Sequence, residues 1–210
     1  MRGMAARTGE RLAVLGGTFD PPHVGHAIIA QDLVEELELD RLLVIPAADP
    51  PHRTAVLPAD VRFALTLRLF EDVPRIDVMD MELRRPGPSY TVDTLAEIRR
   101  TRTPAWLFCI IGADQLRVID TWKDYRQLPD LAEIAVMRRE GEEPRLPTSV
   151  DSMEYITVRV TRIDVSGSQV RARLRSNRSI RYLVPESIRN EVERAWERHP
   201  QAHPASASTG

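Results

Sequence analysis

Two histidines three residues apart, His23 and His26, follow a glycine pair and two prolines in "GGTFDPPHVGHAIIAQDLVEEL", residues 16–37. At i, i+3 on the entrance of a helix both rings reach one side. Neutral or charged, each imidazole offers an N–H to a phosphate oxygen. Gly16 and Gly17 let the backbone turn and approach a ligand closely, with amides free to point at an anion. The helix that follows adds the positive end of its dipole. Two other readings compete. A metal pair needs a third and fourth ligand; His52 could supply one, but there is no H-E-x-x-H helix and Cys109 is the only cysteine. A plain turn with His23 as helix cap accounts for the glycines and prolines but not for the second histidine.

These groups need a frame. "RLAVL" (Arg11–Leu15) is a short apolar run ending in the glycine pair and reads as a buried strand. From Gly25 to Leu37, Ile28, Ile29, Leu33 and Leu37 recur at helical spacing. "LLVIP" is a second strand, followed by the loop "AADPPHRTAVLP"; Asp60 can then cap a helix carrying Phe63, Leu67 and Phe70. "RIDVM", "AWLFCII", "EIAVMRR" and "MEYITVRV" are four more strand candidates, with a helix starting in "TVDTLAEIRR" between the first two. "SQVRARLRS" and "PESIRNEVERAWERH" are the last helices; in the second, Ile188, Val192 and Trp196 share a face behind Pro185 in the first turn. Strands alternating with helices predict an α/β fold, a Rossmann-like doubly wound parallel sheet with helices on both faces. Ligands of such sheets bind beyond the carboxyl ends of the strands. "GGTFDPPH", "PAADPPHR" and "GAD" each follow a strand directly, so they should meet in one crevice.

Length and composition narrow the classes. The 210 residues fit one domain over 11–198, its last helices forming a small C-terminal subregion, between a flexible extension at 1–10 and a disordered tail at 199–210. Net charge is −2, which gives no whole-molecule attraction to nucleic acid or anionic membrane. No apolar run is long enough to cross a bilayer, and the N-terminus lacks a signal-peptide core. A single cysteine excludes an internal disulfide and fits a cytoplasmic location. Lys123 is the only lysine; every other basic side chain is arginine. Seven arginines lie between Arg159 and Arg181, but only Tyr182 brings an aromatic to that stretch, so an RNA- or DNA-binding face is not indicated.

"GTFDPPHVGH" resembles the G-x-F-D-P-x-H-x-G-H signature of the nucleotidylyltransferase superfamily. The resemblance implies that His23 and His26 bind ATP phosphates and stabilise the transition state, with Gly16, Gly17, Thr18 and Phe19 supplying backbone contacts. Later stretches are similar to the bacterial nicotinate mononucleotide adenylyltransferases. "IPAADPPHR" matches their second-strand loop, with Arg53 where lysine is usual; the resemblance implies that Arg53 contacts phosphate on the mononucleotide side, although the planar guanidinium fork is not an equivalent of an ammonium group. "PSYTVDTL" matches S-Y-T-x-D-T-L, which implies Ser89, Tyr90 and Thr91 beside the nicotinate ring. "FCIIGADQLRVIDTWKDY" matches the family's strand, G-A-D turn and downstream tryptophan, which implies Gly112 and Asp114 by the ATP ribose and adenine and Trp122 on the nicotinate ring, packing of Trp122 against a neighbouring helix being the other reading. "VSGSQVRARL" is similar to I-S-S-T-x-I-R, implying that Ser166, Ser168 and Arg171 bind phosphate, although Gly167 replaces the second serine. "RYLVPESIRNEV" resembles the closing helix.

The implied reaction joins ATP and nicotinate mononucleotide to give deamido-NAD and pyrophosphate, within NAD biosynthesis. A phosphate monoester is largely ionised at neutral pH, so the nucleophile needs no general base. Mg²⁺ is expected through the ATP phosphates, with no metal ligand assigned to the protein. The rivals are another adenylyltransferase of the superfamily, such as pantetheine-phosphate adenylyltransferase, and a non-catalytic nucleotide-binding regulator. The sequence leaves open the preference between nicotinate and nicotinamide mononucleotide, and whether the chain forms a homo-oligomer.

Overall fold

In a computed structural model of the chain, residues 9–51, 54–138, 141 and 143–199 are described. Six strands form one sheet: β1 (Arg11–Gly17), β2 (Arg41–Pro46), β3 (Ile76–Val78), β4 (Trp106–Gly112), β5 (Glu133–Arg138) and β6 (Ile156–Arg159). Every neighbouring pair is parallel, and the order is β3-β2-β1-β4-β5-β6. This is a doubly wound Rossmann-like sheet, and its strand order reverses between β1 and β4.

Alternation along the strands sends successive side chains to opposite faces. Ala13, Leu15, Leu42, Val44, Phe108 and Ile110 enter one buried cluster; Leu12, Val14, Leu43, Ile45, Leu107 and Cys109 enter the other. The first cluster is closed by α1 (Val24–Glu36), α2 (Ala59–Phe70), α6 (Gly167–Arg175) and α7 (Glu186–Arg198). The second is closed by α3 (Thr91–Arg102) and the one-turn helices α4 (Ala113–Leu116) and α5 (Leu128–Leu131). Ile188, Val192 and Trp196 are buried in the first cluster, so α7 seals the main core. Among the described residues no helix is long and apolar enough to cross a membrane.

Two helix details differ from expectation. Asp60 does not cap α2: Pro58 holds the N-cap position and Asp60 lies in the first turn. The buried face of α2 is Arg62, Leu65, Thr66, Leu69 and Phe70, while Leu67 is 46% exposed. The inner face joins Leu65, Leu69 and Phe70 to two polar side chains that find partners there. The Arg62 guanidinium finds four carbonyl acceptors inside the protein, and the Thr66 hydroxyl bonds back to the Arg62 carbonyl at 2.7 Å. The polar groups are thus satisfied on the inner face.

Candidate active site

The loops after β1, β2, β4 and β6 leave the sheet at one edge because all the strands run the same way. β1 ends in Gly17, whose carbonyl accepts the Ala47 N–H at 2.8 Å. A Cβ on Gly17 would lie 2.9 Å from the Phe19 ring, whereas one on Gly16 would meet nothing within 4 Å. Packing therefore explains the second glycine and leaves the first open to an approaching ligand. Phe19 adopts φ 50 and buries its ring against His26, the centroids 4.6 Å apart.

His23 is the N-cap residue of α1, and the His23 and His26 rings overlap with centroids 3.8 Å apart. The His23 N–H donates to His26 Nδ1 at 3.1 Å. That bond assigns the proton of neutral His26 to Nε2, the atom left to meet a ligand. Gly25 makes the stacking possible: a Cβ there would sit 3.0 Å from His23 Nδ1. Burial lowers the His23 pKa to about 4 and pulls His26 well below the ordinary histidine value, with the His23 charge adding to the second shift. Both rings are therefore neutral hydrogen-bond donors near pH 7.

Asp20 shapes this loop. Its carboxylate accepts the Val56 N–H at 2.7 Å and the Leu57 N–H at 3.0 Å. Its backbone carbonyl accepts from Arg171 Nη1, across a separation of 151 residues. Arg171 Nη2 donates to Ser168 Oγ at 3.1 Å. Ser166 caps α6: its Oγ accepts the Gln169 N–H, and Gln169 Oε1 accepts the Ser166 N–H at 2.9 Å. A Cβ on Gly167 would lie 2.6 Å from the Asp20 carbonyl oxygen and 3.2 Å from Arg171 Nη1. Gly167 is thus more than a lost hydroxyl, because it is what lets Arg171 close on Asp20.

On the β2 side, Ser89 Oγ accepts the amides of Ala48 at 3.1 Å and Asp49 at 3.3 Å. This hydroxyl holds the loop that follows β2. Tyr90 precedes α3 and Thr91 begins it. Lys123 lies 4.8 Å over the Tyr90 ring and pairs with Asp93 at 3.0 Å. Trp122 follows a short 3₁₀ turn and packs, with Tyr90, against the second buried cluster. A cleft of about 750 Å³ lies here, lined among others by Ala48, Asp49, Leu57, Arg62 and Tyr90. Gly112 is the N-cap residue of α4, with the exposed Asp114 curled over it. The position expected to bind phosphate through Arg53 lies outside the described residues, as does His52.

Sequence reasoning missed two residues. Arg62, 1% exposed, bonds the carbonyls of Thr18, Ala47, Ala48 and Leu57. Glu82, 7% exposed, accepts from Thr94 Oγ1 at 2.7 Å, and burial raises its pKa. A helical-wheel signal existed for Arg62, which shares a face with Leu65, Thr66 and Leu69.

Among the described residues, three buried side-chain nitrogens have no hydrogen-bond partner: His23 Nδ1, Trp122 Nε1 and Arg171 Nε. All three belong to residues singled out above for ligand binding. An unpaired buried donor or acceptor costs about 1–3 kcal/mol, so each of the three is a place where an added polar group would complete the bonding.

Known proteins resemble this chain in sequence and in fold. The cytidylyltransferase-like family model matches residues 14–173. A Thermus thermophilus protein that carries the name "probable nicotinate-nucleotide adenylyltransferase" is 41% identical over 187 residues, covering 88% of this chain and 97% of its own length. A Thermomicrobium roseum protein of the same name is 37% identical over 194 residues, covering 88% and 90%. The solved Plasmodium falciparum nicotinic acid mononucleotide adenylyltransferase complexed with NaAD superposes with TM-score 0.71 at 14% identity, covering 92% of this chain and 97% of that one, a likeness of fold. The chain therefore belongs to the cytidylyltransferase-like family and, within it, to the nicotinate-nucleotide adenylyltransferases.

Proposed function

We propose that this chain transfers the adenylyl group of ATP to nicotinate mononucleotide, forming deamido-NAD and releasing pyrophosphate. The observation that carries the reading is the trio of unpaired buried nitrogens on His23, Arg171 and Trp122. Two suit phosphate oxygens, and the third belongs to an aromatic side chain suited to a flat ring.

A phosphate oxygen of the mononucleotide attacks the α-phosphorus of ATP. The new O–P bond forms as the bond to the bridging oxygen breaks, and its electron pair leaves with pyrophosphate. The nucleophile is already ionised, so the protein's task is alignment and charge stabilisation. His26 Nε2–H, His23 and Arg171 donate to the ATP phosphates, together with the amides from Gly16 to Phe19. Ser166 and Ser168 hold the turn that presents Arg171. Gly112 and Asp114 border the ribose and adenine beyond β4. Ser89, Tyr90, Thr91 and Trp122 form the acceptor side, with Arg53 in the adjoining loop. Burial keeps both histidines neutral in the free protein, so each offers one N–H to the incoming phosphates, and the polyanion in turn favours their protonation.

Mg²⁺ belongs with the substrate. Among the described residues no three His, Cys, Asp or Glu side chains cluster as a metal cage. Asp20 has both carboxylate oxygens engaged by backbone amides. Such a donor set fits a cation that arrives on ATP and keeps much of its water. Bound there, Mg²⁺ would neutralise charge on the phosphate oxygens.

The test is pyrophosphate release from ATP with nicotinate mononucleotide, nicotinamide mononucleotide or phosphopantetheine in parallel. Highest kcat/KM is expected for nicotinate mononucleotide. Preferred turnover of phosphopantetheine, or ATP binding with no turnover, would overturn the reading.

A further inference from the structure

Arg62 is the least exposed charged side chain among those buried, at 1%, and no step of the transfer uses it. Its side chain makes four hydrogen bonds, all to backbone carbonyls: Nε to Leu57 at 3.0 Å, Nη1 to Thr18 and to Ala47 at 2.7 Å each, and Nη2 to Ala48 at 2.9 Å. Four of its five donors are therefore spent on three loop segments. Asp20 and Asp60 supply the opposing charge that offsets its desolvation.

The identity of those carbonyls matters. Thr18 lies in the turn between the glycine pair and the two histidines. Ala47 and Ala48 begin the loop after β2, and Ala48 with Asp49 lines the cleft beside Tyr90. One nitrogen, Nη1, bonds to both segments at once. The same loop is held from the other side, where Ser89 Oγ accepts the Ala48 and Asp49 amides. The carbonyls of the β2 loop are thus fixed by a guanidinium and its amides by a hydroxyl. A methionine or leucine of similar volume would fill the space but leave those four carbonyls without their donor, so the guanidinium acts by hydrogen bonding and not by packing alone.

We propose that Arg62 is a positioning residue for the transfer. Its buried guanidinium sets the spacing between the loop that holds the ATP phosphates and the loop that flanks the acceptor. The inference rests on the function proposed above, since only a reaction between two ligands makes the relative placement of two loops matter. In-line attack requires the reacting atoms about 3–3.5 Å apart, and a misplacement of about 1 Å costs on the order of a hundredfold in rate. A rigid fork with several donors meets that requirement; an ammonium on a flexible stem does not.

The experiment uses the full chain with Arg62→Met and Arg62→Lys. Three quantities are read: the thermal midpoint, the ATP Kd by calorimetry without acceptor, and the single-turnover rate with ATP and nicotinate mononucleotide both saturating. The expected result is a folded protein that binds ATP nearly as wild type does. Its saturated rate falls about a hundredfold in Arg62→Met, and Arg62→Lys, which keeps the charge but not the fork, recovers only a small part. A saturated rate near wild type in either folded variant would show a purely structural residue. ATP affinity falling in step with rate would place the damage in the phosphate loop alone. Failure of both variants to fold would mark Arg62 as a stability element. Any of these overturns the proposal. Wild-type turnover of nicotinate mononucleotide in the same series keeps the two questions apart: its absence strikes the function, while a fast variant beside an active wild type strikes only the positioning role.

Discussion

The two halves of the crevice are built differently. The half proposed to hold the phosphates is a short local structure: Gly16 to His26 turns from β1 into α1, and its histidines are ordered by a bond between neighbours in the chain. The half proposed to take the acceptor is assembled from distant pieces. Its cleft draws on the β2 loop, the segment before α3 and the start of α2, tied together by Ser89 and Arg62. A local motif can be recognised as a pattern of residue types. A structure made by tertiary hydrogen bonds leaves only scattered polar residues in the sequence.

That contrast can be tested from its strongest expected effect downward. His26→Ala should leave the fold intact and lower kcat about a hundredfold, the size expected when one transition-state donor is lost. Steady-state kinetics beside a thermal melt reads this, and a near-wild-type kcat would move the chemistry out of the phosphate half. Gly167→Ser restores the residue usual in the resembling segment yet should harm this chain. Its Cβ would press on the Asp20 carbonyl at 2.6 Å, and overpacking of this kind costs about 1–3 kcal/mol. Thermal unfolding and the ATP KM should both worsen; an unchanged pair of values would mean that the Asp20 turn yields freely.

Trp122→Ala probes the acceptor half. Stacking of an aromatic on a flat base is worth about 1–3 kcal/mol, so the mononucleotide KM should rise roughly tenfold while the ATP KM holds. A rise confined to ATP would exchange the assignments of the two halves. The smallest effect is in pH dependence. Folded His23 resists protonation down to about pH 4, whereas the unfolded ring takes a proton at the ordinary 6.5. The unfolded state therefore gains protons first, and stability present above pH 6.5 is lost as pH falls toward 4. Between pH 7 and 6 the loss should be about 0.7 kcal/mol. Pyrophosphate should oppose it by favouring the charged rings, and His23→Gln should flatten that part of the profile. An equal slope in His23→Gln would assign the titration to another group.

The fold was largely legible because buried parallel strands read as apolar runs and the long helices show their period. The helices at Ala113–Leu116 and Leu128–Leu131 went unread, since four residues are too few to display a period. The face of α2 was misjudged for a different reason. Apolar residues lie on both sides of the helix, so Phe63 and Leu67 compete with Leu65 and Leu69 for the core, and the carbonyl partners of Arg62 favour the face that carries a charged side chain inward. In the site, His23, His26 and the glycines were legible as a motif. The roles of Gly167 and Ser89 were not, because each depends on a backbone group far away in the chain: the Asp20 carbonyl for one, the Ala48 and Asp49 amides for the other.

The bond from Arg171 to the Asp20 carbonyl joins residues 151 apart. A chain emerging from the ribosome has its histidine motif early and lacks the arginine that closes over it until about four-fifths of the sequence has been made. β1 also waits for β4 as its second sheet neighbour. Contacts so remote in sequence form late and slow folding. A nascent or truncated chain ending before α6 should therefore present an incomplete phosphate cradle, and competence to hold ATP should arise only once α6 has been made.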